Sequence, residues 1–338
     1  MAQTELEHAQ GIMSALFNAL IGRLTPAMTL AELEGDALFL YTPAQKMTRG
    51  EMLMELIESA YLDFRKRRLS MSRNVTCPCL ACQSIDTLDL KFVAHYGEFA
   101  IQDFTGKAKP IGSSVNLVHR LLKNNVREAK GWHGYALFTK EALESMDIYP
   151  VNTFEQVQNY EHFGDVVTFS SDLDERFREL TEAQSRYMPR EEADVWRTYR
   201  LDAPPGIVWD YLNDPAKRTS WMKGSAWQSE ERPKGRTGRG AKNHCTNSNV
   251  IEHVLDWRPF DYYTVRVQRG AVTAIQTSEL TTDSDGTNLE WRFMLEGPLP
   301  KILRAPLGKF IALRLMAWDA CASELARCIA GRVDSEPG

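Results

Sequence analysis

Between residues 171 and 193 the chain reads SDLDERFRELTEAQSRYMPREEA, dense in charge and without a strong apolar face. Such a stretch cannot add a wall to a shared core, so the chain divides into two parts that must each bury their own. At 338 residues there is room for two domains of ordinary size, and 43% hydrophobic against 25% charged content suits folded protein on both sides. The expected boundaries are 1–170, a charged linker at 171–193, and 194–333.

The same numbers remove several function classes. A net charge of -5 argues against nucleic acid or an anionic membrane surface as partner. The local run Arg65, Lys66, Arg67, Arg68 reads as a solvated helix face. No apolar run approaches the roughly 18 residues of a membrane span, and the polar, acidic start MAQTELEHAQ is no secretory signal. Six cysteines, three of them crowded into CPCLAC, do not make a disulfide scaffold, so a reducing, cytoplasmic location is expected.

In the first part, Ile12, Leu16, Leu20 and Leu24 recur at helical spacing. MTLAELEGDALFLYTP then reads as a hairpin around Gly35-Asp36, followed by a helix from about Arg49 to Arg67. LDLKFVAHYGEFAIQDF predicts a second hairpin around Tyr96-Gly97, and PIGSSVNLVHRLLKNN a helix from about Ser114 to Asn124. With KEALESM as helix and VVTFS as strand, the order α-ββ-α-ββ-α-α-β predicts an α+β sandwich with helices on an antiparallel sheet.

Two clusters in this part carry chemistry. Ser113 or Ser114 can cap the helix, Gly112 allows a close approach, and Asn116 and Arg120, four apart, share one face. An amide, a guanidinium and free backbone N–H groups suit polyphosphate oxygens, although a capped amphipathic helix with a surface arginine fits the spacing as well. Glu32, Glu34 and Asp36 lie at and before the first hairpin turn, and oxygen-only ligands beside a nucleotide suit Mg²⁺ or Mn²⁺. The second cluster is Cys77, Cys79 and Cys82, with His95 thirteen residues on. Either these four complete a tetrahedral zinc site, or the thiols form a reduced or redox-sensitive loop. His119 lies on another helix face and reads as a packing or surface histidine.

The hairpin Gly-Asp followed by Gly-x-x-Val-Asn-x-x-x-Arg resembles the class III nucleotidyl cyclase catalytic domain over roughly residues 1–170. The resemblance implies a ferredoxin-like, cyclase-type sandwich. It implies a metal-binding role for Asp36, and for Asn116 and Arg120 the orientation of ribose and stabilisation of the transferring phosphate. Glu32 and Lys109 fall at the two base-selecting positions, where they match neither the usual adenine pair nor the usual guanine pair. The family's opening Asp-Ile-x-Gly strand and late triphosphate-binding lysine have no counterpart here, so either that strand is lost or the true start lies upstream of Met1. Two-metal displacement needs both ions clamped, so a degenerate nucleotide site is expected. An active enzyme making a cyclic nucleotide from ATP or GTP is the alternative, and it implies a homodimer.

Beyond the charged run, VWRTYRL is followed by a short helix and then by NVIEHVLDW, FDYYTVRVQ, TAIQTSELTT and NLEWRFMLE, strand-like runs at regular spacing, the last two joined by Ser284-Asp285-Gly286. A helix from about Ala305 to Ala330 closes the chain, with Ile311, Leu315, Trp318, Leu325 and Ile329 on one stripe. APPGIVWDYLNDPAKRTSW, LDWRPFDYYT and DGTNLEW, in that order, resemble the SRPBCC helix-grip superfamily of START and polyketide-cyclase-like proteins. The resemblance implies a curved antiparallel sheet around the terminal helix and a cavity for a hydrophobic small molecule. Trp209, Trp221, Trp257, Tyr262, Trp291, Phe293, Leu315 and Trp318 are the expected walls, with Trp291 and Phe293 on one strand face. His244, His253 and Asp256 show no spacing for acid–base or metal chemistry, so a ligand-binding regulatory protein is the expected whole.

Overall fold

The computed structural model describes residues 2–47, 50–104, 107–148, 152–182, 186–283 and 285–333. The expected helix start at Arg49, the turn residue Ser284 and residues 183–185 of the charged run lie outside them. The chain falls into two compact units, Met1–Glu182 and Ala183–Gly338.

The first unit opens with α1 (Ala2–Leu24), the hairpin β1 (Thr29–Glu34) and β2 (Ala37–Tyr41), then α2 (Glu51–Asn74) and the short α3 (Leu80–Gln83). β3 (Lys91–Ala94), β4 (Ala100–Phe104) and β5 (Lys107–Ile111) lead into α4 (Ser113–Leu121) and α5 (Val126–Lys130). β6 (Tyr135–Thr139), α6 (Lys140–Met146), β7 (Phe154–Tyr160), β8 (Gly164–Asp172) and α7 (Leu173–Glu182) complete it. The strands form three separate sheets: β1-β2, β4-β5, and a four-stranded sheet in the order β3-β6-β8-β7.

Two expectations change here. The second hairpin joins β4 to β5, and β3 instead pairs with β6 in parallel, so the main sheet is mixed and not antiparallel. Gly97, between β3 and β4, lies close to α4: an added Cβ there would stand 2.2 Å from Ser114 Oγ. The backbone there runs tight against the start of α4, which leaves no room for a larger residue.

Helix α2 buries Met52, Leu56, Ile57, Ala60, Tyr61 and Phe64, a stripe that suits the unit's core. Its basic run is only half solvated: Lys66 and Arg67 are exposed, whereas Arg68 is buried and donates to Leu88 O. The charged run at 171–193 is also structured at its start. Asp172 Oδ1 accepts from the N–H groups of Asp174 and Glu175, which caps α7, and Asp174 then takes the Tyr61 hydroxyl at 2.7 Å and pairs with Arg65.

The second unit contains β9 (Val195–Leu201), α8 (Pro205–Asn213), α9 (Pro215–Trp221), β10 (Trp227–Glu231), β11 (Lys242–Cys245), β12 (Val250–Arg258), β13 (Tyr262–Arg269), β14 (Val272–Asp283) and β15 (Gly286–Leu295). Its strands make one antiparallel sheet of seven in the order β10-β11-β12-β13-β14-β15-β9. Helices α10 (Lys301–Phe310) and α11 (Trp318–Val333) follow, and Trp318, Leu325 and Ile329 of α11 are buried. A large antiparallel sheet with a terminal helix is consistent with a helix-grip fold.

The expected single long helix is broken. A π-turn occupies Ile311–Leu315, closed by Met316 N–H donating to Ile311 O at 2.8 Å, and Ala317 sits at φ 50° before α11 begins. Pro306 lies inside α10, where it withholds one backbone donor.

Candidate functional site

Cross-strand register assigns one row of side chains to the covered face of the seven-stranded sheet. Tyr263 pairs with Ser278 and Ser278 with Trp291, while Gln276 pairs with Phe293. Trp291 and Phe293 are 3% and 2% exposed, and both rings meet Trp318 of α11, at centroid distances of 5.6 and 6.3 Å. Trp221 stacks on Trp291 at 6.1 Å, and Tyr199 meets the same ring edge-on at 5.3 Å. A second aromatic group forms where Trp209 packs against Trp257 at 4.8 Å and against Phe260 and Tyr263 at 5.7 Å.

Polar groups interrupt this face. Arg218 of α9 and Glu252 of β12 form a forked, buried ion pair at 2.5 and 2.7 Å, with the guanidinium 3.9 Å over the Trp227 ring. Burial pushes the Tyr263 phenol above its ordinary range, only partly countered by Arg218. The indole Nε1–H groups of Trp291 and Trp227 are buried and have no hydrogen-bond acceptor among the described residues.

Six of the eight expected wall residues are thus buried together or in adjoining groups: Trp209, Trp221, Trp257, Trp291, Phe293 and Trp318. Two are not. Tyr262 faces the opposite side of the sheet, with its ring 4.8 Å from Tyr187 and its hydroxyl donating to Asp256 at 3.1 Å. Tyr263, the next residue, is the one that turns inward. Leu315 is 64% exposed because the π-turn rotates the helix stripe away from the sheet. Exposed with it are Ile302 (82%), Leu303 and Phe310, so α10 presents apolar side chains to solvent beside the break.

In the first unit, two adjoining clefts of about 710 and 320 Å³ share Glu34, Asn116 and His119. Arg120, His162 and Phe163 line the larger, and Glu32, Lys109 and Gly112 the smaller. Asn116, Arg120, Glu32 and Lys109 are therefore brought together. Lys109 Nζ is bound by both Glu32 carboxylate oxygens at 2.8 Å, and Arg120 donates to Glu161 O at 3.3 Å over the Phe163 ring. Asp36 is exposed in the β1–β2 turn and lines neither cleft. His119 lines both clefts, 3.5 Å from Glu34 and packed on Phe39.

The three thiols lie together, and the histidine among them is His8 and not His95. His95 Nδ1 stands 2.9 Å from Thr139 Oγ1, and burial lowers its pKa. His8 of α1 instead places Nδ1 3.5 Å from Cys79 Sγ and 3.4 Å from Cys82 Sγ. The Cys82 backbone N–H, with the His8 ring, holds the Cys79 thiol down to about 7, while burial and then its neighbouring thiols push Cys82 up to about 11. Local spacing carries no sign of His8, which reaches the cluster only through the packing of α1.

Residues 192–322 match the family model described as polyketide cyclase / dehydrase and lipid transport, which supports an SRPBCC-like domain in the second unit. Residues 13–130 match a model described as a protein of unknown function, DUF2652. That description names no activity, and the class III cyclase resemblance rests on the motif residues alone. The uncharacterised protein Rv2561/Rv2562 of Mycobacterium tuberculosis is 38% identical over 99 residues, 29% of this chain and 46% of that one, so the match spans about half the length of that relative. Among solved structures, protein CV1439 from Chromobacterium violaceum is 16% identical with a TM-score of 0.30, covering 40% of this chain and 95% of that one. Protein MLL2253 from Mesorhizobium loti is 15% identical with a TM-score of 0.33, covering 42% and 98%.

Proposed function

We propose that this is a ligand-binding regulatory protein whose second unit takes a hydrophobic small molecule bearing a hydrogen-bond acceptor. The observation that carries the reading is the Trp291 indole N–H. It is buried amid Trp221, Tyr199, Phe293 and Trp318 with no acceptor among the described residues, and a buried unpaired donor costs about 1–3 kcal/mol unless something satisfies it. An apolar wall with one aimed polar group is the ordinary make-up of a small-molecule site. The matched family's lipid-transport description agrees with that chemistry. Apolar surface stands beside the break in the helix, since α10 meets water with Ile302, Leu303 and Phe310 ahead of the π-turn.

The test is titration of the full chain with cis-parinaric acid, whose carboxylate is the acceptor and whose polyene reports an apolar site. Saturable binding with tryptophan quenching is expected, and Trp291→Phe, which keeps an aromatic ring of smaller size but loses the donor, should weaken it about three- to tenfold. Unsaturable binding, or equal affinity in the variant, defeats the reading.

A second reading concerns the clefts of the first unit, where Asn116, Arg120, Glu32 and Lys109 line adjoining walls. It gives that unit a nucleotide-binding role, with Mg²⁺ or Mn²⁺ accompanying the phosphates. The Glu32–Lys109 pair then has to open before a base can use either side chain, which fits a degenerate site better than a turning-over one. Incubation with ATP or GTP and Mn²⁺, followed by mass spectrometry, should show no cyclic product. Product that disappears in Arg120→Ala means an active cyclase instead.

A further inference from the structure

We propose that His8, Cys77, Cys79 and Cys82 hold one structural zinc ion that ties α1 to the loop following α2. The four donor atoms all lie within 4.8 Å of one another. For Zn–S of about 2.3 Å and Zn–N of about 2.05 Å, neighbouring vertices of a tetrahedron are about 3.5 Å apart for sulfur and nitrogen. His8 Nδ1 stands at 3.5 and 3.4 Å from two sulfurs, which are the edges such a tetrahedron requires.

The donor set selects the metal and its role. Three thiolates and an imidazole are soft and borderline ligands, unsuited to Mg²⁺ or Ca²⁺ and matched to tetrahedral zinc. All four positions are filled by protein, which leaves no place for a reacting water, so the ion builds structure and does not catalyse.

A disulfide explains the cluster less well. It would join two sulfurs, leave the third cysteine idle and give the imidazole no reason to lie against two of them. The cysteines of the described residues are all unbridged. The spacing Cys-x-Cys-x-x-Cys lets one short loop, turned by α3, supply three ligands, and only the fourth needs tertiary structure. α1 packs against α2 and α3 and delivers it. Chelation therefore closes the long loop between His8 and Cys77, and binding energy of this kind is folding energy for the unit.

The experiment is metal analysis of the full chain purified without chelator or metal resin, followed by exchange with Co²⁺. About one zinc per chain and the visible bands of tetrahedral cobalt, with a thiolate charge-transfer band, are expected. His95→Ala should keep the ion. His8→Ala should lose affinity by more than about 100-fold in chelator competition, since even outer-sphere partners of a ligand are worth 10–100-fold. If that variant does not fold, His8→Cys answers the same question: four thiolates keep the cobalt tetrahedral and raise the charge-transfer intensity by about a third. Metal-free wild type with no tetrahedral cobalt spectrum overturns the proposal, as does loss of the ion in His95→Ala with retention in His8→Ala.

Discussion

The second unit runs its backbone hydrogen bonds through one continuous seven-stranded ladder, whereas the first distributes eight strands over three sheets. The ladder of the second leaves its side chains free to be specialised by face, mainly aromatic around the buried Arg218–Glu252 pair on one side and mainly ionic on the other. In the first, side chains do the joining: Arg23 to Asp63 at 2.6 Å, Arg176 to Glu58 at 3.0 Å, Tyr61 to Asp174 at 2.7 Å, and the gathered thiols. The contrast teaches where each unit is vulnerable. Damage to the second should come through buried charge and ring packing, and to the first through its ties.

Tryptophan fluorescence separates the two, because Trp132 alone belongs to the first unit and the other seven tryptophans lie beyond residue 193. The largest effect is expected from Arg218→Met, which strands the buried Glu252 carboxylate and should cost the second unit about 3–5 kcal/mol in urea unfolding. Arg218→Met with Glu252→Met should recover most of that loss. A single variant costing under about 1 kcal/mol breaks the claim that buried charge is the weak point. Next comes the first unit's Gly134, whose added Cβ would sit 2.0 Å from the Tyr61 hydroxyl, itself committed to Asp174. Gly134→Ala should cost about 1–3 kcal/mol and spare tryptophan emission beyond Trp132.

A smaller effect is expected in acid. Burial alone would raise the Glu290 pKa, but hydrogen bonds from Arg190, Arg292 and Thr198 outweigh it and hold the group below its ordinary value of 4.5. A lowered folded-state pKa contributes stability at neutral pH that is lost as pH falls below 4.5 and through the folded value. Glu290→Gln should therefore flatten that acid limb in the second unit, and an unchanged limb assigns acid sensitivity elsewhere. Smallest is Lys109→Ala in the first unit: its pair with Glu32 is more than a third exposed and should be worth under about 1 kcal/mol. A larger loss would promote that pair from a surface contact to one of the unit's ties.

Legibility followed the range of the interactions. The strands of the second unit announce themselves by alternation, and the inward pairing of Trp291 with Phe293 follows from two-residue periodicity alone. Tyr262 and Tyr263 are adjacent aromatics, so alternation says that one faces inward without saying which, and a bulge between Val254 and Asp256 on the neighbouring strand shifts the register. The helix break was hidden because Leu315 keeps its place on the stripe until a π-turn adds a residue. Asn116 and Arg120 line one cleft, and Glu32 and Lys109 line the adjoining one with Asn116, a placement that four-residue helical spacing alone does not give. His8 could not be read, because no local pattern links α1 to a loop near residue 80.

The uncovered side of the second unit's sheet is not uncovered at all. Residues 186–194 lie across it: Arg190 pairs with Glu290, Tyr187 Oη bonds Glu279 at 2.9 Å, Met188 O accepts from Arg292 at 2.9 Å, and Asp194 binds the Leu295 N–H and Arg304. Sequence similarity to the helix-grip model begins at residue 192, within this strap. A fragment cut at that point would strip Glu279 of Tyr187, Glu290 of Arg190, and Arg292 of the Met188 carbonyl. Dissection of the chain therefore has a physical frontier, at or before Arg186, that homology alone puts in the wrong place.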